Sequence, residues 1–191
     1  CYLGNNYERT DQFLKYYGAP AIELRDYGIQ TLVHGNWLER AADRESPEEI
    51  LRKFKGVDFG TRLSYKDGMQ MMSKCICTTN LAKKEYYEAG FITSRIYESI
   101  LTGIPCLTPI EHKHLASVGL GEWLVGSPQD VVRKVVALRG LSREARRDIV
   151  GRQLEALKKL GDFGPAKKVD TIIGVGDGSI TQGKIDAGSV E

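Results

Sequence analysis

A chain of 191 residues, 41% hydrophobic and 27% charged, has the makeup of an ordinary globular protein, with length for one domain plus an extension. A formal net charge of +2 selects no class of partner. No apolar run approaches the roughly 20 residues that cross a bilayer, and no basic-then-apolar leader is present, so the expectation is a cytoplasmic protein without a transmembrane segment.

The chain opens on Cys1 rather than methionine, which suggests a fragment or a processed product. Tyr2-Leu3-Gly4 reads as the end of a first strand and Asn5-Asn6 as a turn. A helix follows from about Glu8 to Tyr17, with Arg9 in its first turn. Strand, turn and helix end together make a possible phosphate site, although one glycine is short of a dinucleotide fingerprint. Residues 20–27 predict a short helix ended by Gly28, and Thr31 to His34 a second strand leading into Gly35-Asn36-Trp37.

Ser46-Pro47-Glu48-Glu49 combines a cap, a proline and acids in the first turn, a strong helix start. Val57-Asp58-Phe59 predicts the third strand, ending at Gly60-Thr61-Arg62. Residues 65–72 form a short helix carrying the three methionines, read as core filler. Lys74 to Thr78 predicts the fourth strand, with Thr78-Thr79-Asn80 at its end. Cys75, Cys77 and Cys106 read as buried thiols, because no second ligand pair offers zinc-like spacing.

Residues 90–109, GFITSRIYESILTGIPCLTP, read as a glycine loop, a helix and a buried strand. Thr93 or Ser94 is placed to cap the helix, and Ile96, Ile100 and Leu101 fall on one stripe. Arg95 sits in the first turn and Glu98 one turn on. A helix N-terminus with an arginine suits phosphate oxygens, and an acidic group beyond it suits ribose hydroxyls. Trp123 to Val125 predicts the sixth strand.

Ser127-Pro128 and Ser142 then start two helices that reach about Leu160. Their basic residues outnumber the acids and read as a solvated face, with an anionic acceptor or membrane surface as the other reading. Residues 161–191 form a Gly-rich extension, with a short strand possible at Val169 to Ile173. Gly178 to Lys184 copies part of a phosphate loop, but Ile185 stands where Ser or Thr is needed.

Strands alternating with helices predict an α/β fold: a doubly wound, mainly parallel six-stranded Rossmann-like sheet with helices on both faces, over residues 1–160. Ligands bind such sheets beyond the carboxyl ends of the strands, where every polar loop named above opens. With Arg95-Ile96-Tyr97-Glu98 and Thr102-Gly103-Ile104-Pro105 as its most specific stretch, the chain resembles the C-terminal, donor-binding half of GT-B glycosyltransferases. The spore-maturation-protein-like and group 1 enzymes are the branches it resembles in particular.

That resemblance implies a nucleotide-diphosphate-sugar donor, UDP-sugar foremost, transferred to an acceptor that is a protein, glycan, lipid or modified DNA. It implies that Glu98 binds the ribose and that the loop 90–93, with Ile92 and Thr93, offers N–H groups to the diphosphate. It further implies that Gly4, Asn5, Asn6 and Arg9 face the phosphates, and that Thr61 and Arg62 border the nucleobase. The partner would be an N-terminal GT-B domain or another chain, which commonly supplies the base. His112, His114 and Glu88 are the catalytic candidates in this chain, with His34 a further titratable group. Gly90 stands where many group 1 enzymes carry a first glutamate, leaving Glu88 out of register. No Asp-x-Asp pair occurs, so no metal and no cofactor beyond the donor is expected. A nucleotide-sugar epimerase-like enzyme and a non-catalytic nucleotide-binding module are the alternatives.

Overall fold

The computed structural model describes residues 1–6, 9–39 and 45–159. The Gly-rich extension 161–191, Tyr7 and Glu8 of the first loop, and the expected helix end at Leu160 lie outside the described residues. Among the described residues six short parallel strands form two sheets of three. In the first, β1 (Tyr2–Leu3) pairs with β2 (Thr31–His34), and β2 with β3 (Val57–Gly60). In the second, β4 (Thr78–Thr79) pairs with β5 (Cys106–Pro109), and β5 with β6 (Leu124–Val125).

The expected continuous six-stranded sheet is thus split between β1 and β4, and the cause is one side chain. The Tyr17 hydroxyl accepts the Thr79 N–H at 2.6 Å and lies 2.8 Å from the Thr79 carbonyl and 2.9 Å from that of Cys1. It therefore occupies the space where ladder bonds would form. Across this seam Cys1 N still donates to the Cys77 carbonyl at 2.9 Å, so the order runs β3-β2-β1, seam, β4-β5-β6. Burial holds the Tyr17 phenol far above its ordinary pKa, and it stays protonated. Tyr17→Phe is expected to destabilise the protein by about 1–3 kcal/mol, because Thr79 loses a buried acceptor. Denaturant midpoints, with Tyr27→Phe at an exposed position as control, check this.

Helices follow their sequence signals closely. In α3 (Pro47–Lys53) Ser46 and Glu49 form a reciprocal capping box. Ser64 caps α4 (Tyr65–Met72), Ser127 caps α7 (Pro128–Arg139) and Ser142 caps α8 (Arg143–Lys158), each accepting a backbone N–H three residues on. The first helix runs through three pieces: α1 (Thr10–Phe13), a π-helical segment (Leu14–Gly18) and α2 (Ala19–Asp26). Pro20 lacks the N–H that an α ladder would direct at Tyr16, and the wider turn absorbs the loss. That turn sets Tyr16 and Tyr17 both inward.

Three stretches depart from expectation. Lys74 to Cys77 do not extend as strand, since Lys74 and Cys75 donate back to Met71 and Met72 in a turn that continues α4. Cys77 and Cys106 are buried as expected, and Cys75 only partly. α5 (Lys84–Glu88) and the 3₁₀ stretch Ile110–Val118 carry no side-chain cap, so no local signal announces them. α6 (Ser94–Leu101) lies between them in sequence, where it was expected.

The core of the first half is aromatic: Phe13 stands 4.1 Å from Trp37 and 4.9 Å edge-on from Phe54, centroid to centroid. In the second half Ile96, Ile100, Leu107, Leu115 and Val125 pack beneath α7 and α8. Buried Gln153 of α8 bonds both the N–H and the carbonyl of Cys106, completing β5 above the short β6. The helices flank the sheets in two groups, α2 with α7 and α6 with α4 and α8. Most basic side chains of α7 and α8 are exposed, the solvated face expected of them. No described helix is long and apolar enough to cross a membrane.

Candidate functional site

The loops after β1 and β2 are locked to each other. Gly4 N–H donates to the His34 carbonyl, while the Gly4 carbonyl accepts from Trp37 Nε1 at 2.8 Å. Asn36, almost wholly buried, donates its N–H to Asn5 Oδ1 and accepts the Asn6 N–H on its own Oδ1 at 2.9 Å. A Cβ on Gly35 would lie 2.1 Å from the Gly4 carbonyl oxygen, so only glycine admits this approach. Arg9, just beyond, donates to Tyr2 Oη at 2.9 Å, and its buried Nε has no hydrogen-bond partner among the described residues.

At the ends of β2 and β3 the His34 ring lies against Gly60, and its Nδ1 is 2.9 Å from the Thr61 carbonyl. Arg62 pairs with Glu39 through two contacts of 2.6 and 2.8 Å, both side chains exposed.

α6 supplies the charged pair. Arg95 is ion-paired with Glu98, whose Oε2 is buried and makes no hydrogen bond besides that contact. The two side chains are 30% and 16% exposed, so the carboxylate is held inward and the guanidinium faces out. The cap expected from Thr93 or Ser94 does not form. Thr93 occupies the cap position but donates its hydroxyl to Asn80 Oδ1 at 2.7 Å.

Leu3, Gly4, Asn5, His34, Arg62 and Arg95, with the start of α4, line a hollow of about 300 Å³ beyond the carboxyl ends of β1 to β3. Of the residues singled out in the sequence, Gly4, Asn5, Arg62 and Arg95 meet there. Glu98 adjoins it through Arg95 and Thr61 through His34. Asn6, Arg9, Ile92 and Thr93 stand outside its lining. Two arginine side chains on one space, one of them carried by the uncapped first turn of α6, can bind an anionic ligand. A larger cavity of about 760 Å³ opens at the opposite, amino ends of the strands and is lined by none of these residues.

The catalytic candidates sit elsewhere. Glu88 is exposed, pairs with Lys84 at 3.6 Å and borders a separate hollow with Tyr87 and Glu111. His112 is fully buried, its ring edge-on to Tyr87 and its Nε2 3.4 Å from Asn80 Nδ2. His114 lies 5.5 Å from it, ring to ring, and is half-buried. Burial raises the Glu111 carboxyl, but hydrogen bonds from Tyr16 (2.6 Å), its own N–H and Lys15 outweigh that and keep it below its usual value. Among the described residues no group of three or more His, Cys, Asp or Glu is arranged to hold a metal.

Burial, then the charge of His114, pulls His112 down to about 4, against a smaller opposing pull from Glu111. The folded pKa thus lies below the unfolded value near 6.5, and the unfolded chain binds more protons between them. Stability is complete above about pH 6.5 and falls as pH drops toward 4, by on the order of 2–3 kcal/mol. Thermal melts from pH 7.5 to 4.5 should show that slope in the wild type and a flatter one in His112→Gln.

Parallel strands flanked by helices, with polar loops gathered at their carboxyl ends, define a Rossmann-like α/β domain, and the solved structures it is similar to give it the fold of one half of a GT-B glycosyltransferase. No protein-family model and no curated protein matches the chain. Among solved structures it is similar to T4 phage β-glucosyltransferase, with a TM-score of 0.64 at 18% identity over 89% of this chain and 46% of that one. A DNA-modifying β-glucosyltransferase solved with and without uridine diphosphoglucose gives 0.64 at 17% over 90% and 48%. The phage enzyme in complex with UDP and Mn²⁺ gives 0.64 at 17% over 89% and 44%. The chain therefore spans about half the length of the structures it matches.

Sequence reasoning placed Asn80 and Asn36 on the right edge of the sheet but gave them no role. The signal was present in each as a polar residue just past a strand end, Asn80 directly after β4 and Asn36 one glycine beyond β2.

Proposed function

We propose that this chain is the donor-binding half of a glycosyltransferase, holding a nucleotide-diphosphate sugar, foremost a UDP-sugar. The observation that carries the reading is the Arg95–Glu98 pair at the uncapped start of α6, beside a hollow shared with Gly4, Asn5 and Arg62. Arg95 turns from Glu98 to the diphosphate, and the freed carboxylate accepts from the ribose hydroxyls. The first-turn N–H groups of α6 and the loop 90–93 meet the remaining phosphate oxygens. Arg62 and Thr61 border the base.

Positive groups fixed where the leaving diphosphate gains charge lower the barrier to transfer. In this reading those groups take the part a resident metal would play, so UDP binding persists in chelator. The group that deprotonates the acceptor comes from an N-terminal domain or a partner chain; of the candidates in this chain, Glu88 is exposed and His114 half-buried, and neither lines the hollow. Similarity to a DNA-modifying β-glucosyltransferase and the basic outer face of α7 and α8 support an anionic acceptor, modified DNA first among the four classes.

Calorimetry with UDP, GDP, TDP and uridine tests the reading. The expected result is binding that requires the diphosphate and favours UDP, with and without EDTA. Absence of binding by every diphosphonucleotide would overturn it.

A further inference from the structure

We infer that Asn80 is a positioning residue that keeps the start of α6 open for the donor diphosphate by holding the Thr93 hydroxyl away from it; this rests on the donor-binding reading above. Threonine at a helix cap ordinarily accepts a hydrogen bond from the N–H two or three residues on. Here Thr93 has the extended backbone of a cap (φ −77°, ψ 153°), yet its side chain makes no such bond. Its hydroxyl donates instead to Asn80 Oδ1 at 2.7 Å.

Asn80 is built to keep that hold. It is fully buried at the carboxyl end of β4, and its N–H is fixed to the Leu107 carbonyl at 2.8 Å. Its Nδ2 lies 3.4 Å from Nε2 of His112, which is also fully buried. That contact orients the amide with its oxygen toward Thr93. With Thr93 engaged, the N–H groups of Ser94 and Arg95 find no acceptor among the described residues, in the turn that also carries Arg95. A free Thr93 hydroxyl would cap the Arg95 N–H and compete directly with a phosphate oxygen.

Asn80→Ala releases Thr93, and UDP affinity is expected to fall roughly fivefold, the strength of an N-cap. Uridine, lacking phosphates, should bind as to wild type. Adding Thr93→Val to Asn80→Ala removes the competing hydroxyl and should restore most of the UDP affinity, a recovery that general loosening of the fold would not give. A readout independent of ligand is amide exchange at Arg95: slower in Asn80→Ala, fast again in the double variant. Should Asn80→Ala fail to fold, Asn80→Ser, polar but too short to reach Thr93, carries the same comparison. If wild type binds UDP and Asn80→Ala binds it equally, or Thr93→Val restores nothing, the role assigned to Asn80 is wrong and the donor reading survives. If wild type binds no diphosphonucleotide, the donor reading itself has failed and takes this inference with it.

Discussion

Arg95→Ala is expected to weaken UDP binding roughly 10- to 100-fold while the domain stays folded with a modestly lower melting temperature. A charge-assisted, forked contact to phosphate is worth about 1.5–3 kcal/mol, which sets that range. The fold loses about 1–3 kcal/mol, because Arg95 is the described partner of Glu98 Oε2, which is buried and makes no other hydrogen bond. Removing the guanidinium also leaves the Glu98 carboxylate beside the incoming diphosphate, which deepens the loss. Uridine has no phosphate to lose, so its affinity should not change. Glu98→Ala should instead weaken uridine and UDP alike, as expected for a ribose contact. Titration calorimetry of both variants with both ligands separates the roles. UDP affinity unchanged in both variants would remove the basis for placing a donor here.

The second large effect belongs to Gly35. Gly35→Ala puts a methyl group 2.1 Å from the Gly4 carbonyl oxygen, a backbone atom bonded in turn to Trp37 Nε1. No flexible side chain can move aside, so the Gly4-Asn5-Asn6 loop must shift and lose its bonds to Asn36 and Trp37. The expected cost is about 3 kcal/mol or more, a drop of roughly 6–12 °C in melting temperature for a chain of this size. UDP affinity should fall with it, since Gly4 and Asn5 line the hollow. Gly151→Ala is the contrast: that glycine lies within α8 with nothing near its would-be Cβ, and alanine there should raise stability by up to about 1 kcal/mol. Calorimetric melts of the two variants side by side decide whether position or mere loss of glycine is responsible.

Much of this architecture was legible because the signals are local. Ser46, Ser127 and Ser142 announce their helices by residue type, two of them with proline following, and each makes the cap its sequence implies. β2 and β3 declare themselves as short β-branched or aromatic runs between glycines. The split between β1 and β4 was not legible, because it depends on a hydroxyl arriving from a helix 62 residues before its partner Thr79. Cys75-Ile76-Cys77 is a short apolar run of the kind that fills buried strands, yet that stretch is still turning out of α4. Thr93 shows the same limit at the site. Its residue type and position both predicted a cap, and a buried amide 13 residues earlier in the chain took the hydroxyl instead. Gly4, Asn5 and Arg62 share one hollow with Arg95 because parallel strands carry loops from distant parts of the chain to one edge, as the strand-end rule implies. His112 was judged by its proximity to that edge and proved to be interior, a distinction that depends on packing rather than pattern.

The phenol that parts the two ribbons has a mechanical corollary. Gly4, His34 and Arg62 belong to one side of the joint, and Asn80, Arg95 and Glu98 to the other. A molecule clasped by both sides therefore acts as a bracket across the least stitched line of the domain. By linkage, whatever tightness that clasp confers on the joint is returned as tightness of the clasp, so slackening the phenol's grip loosens a ligand it never touches.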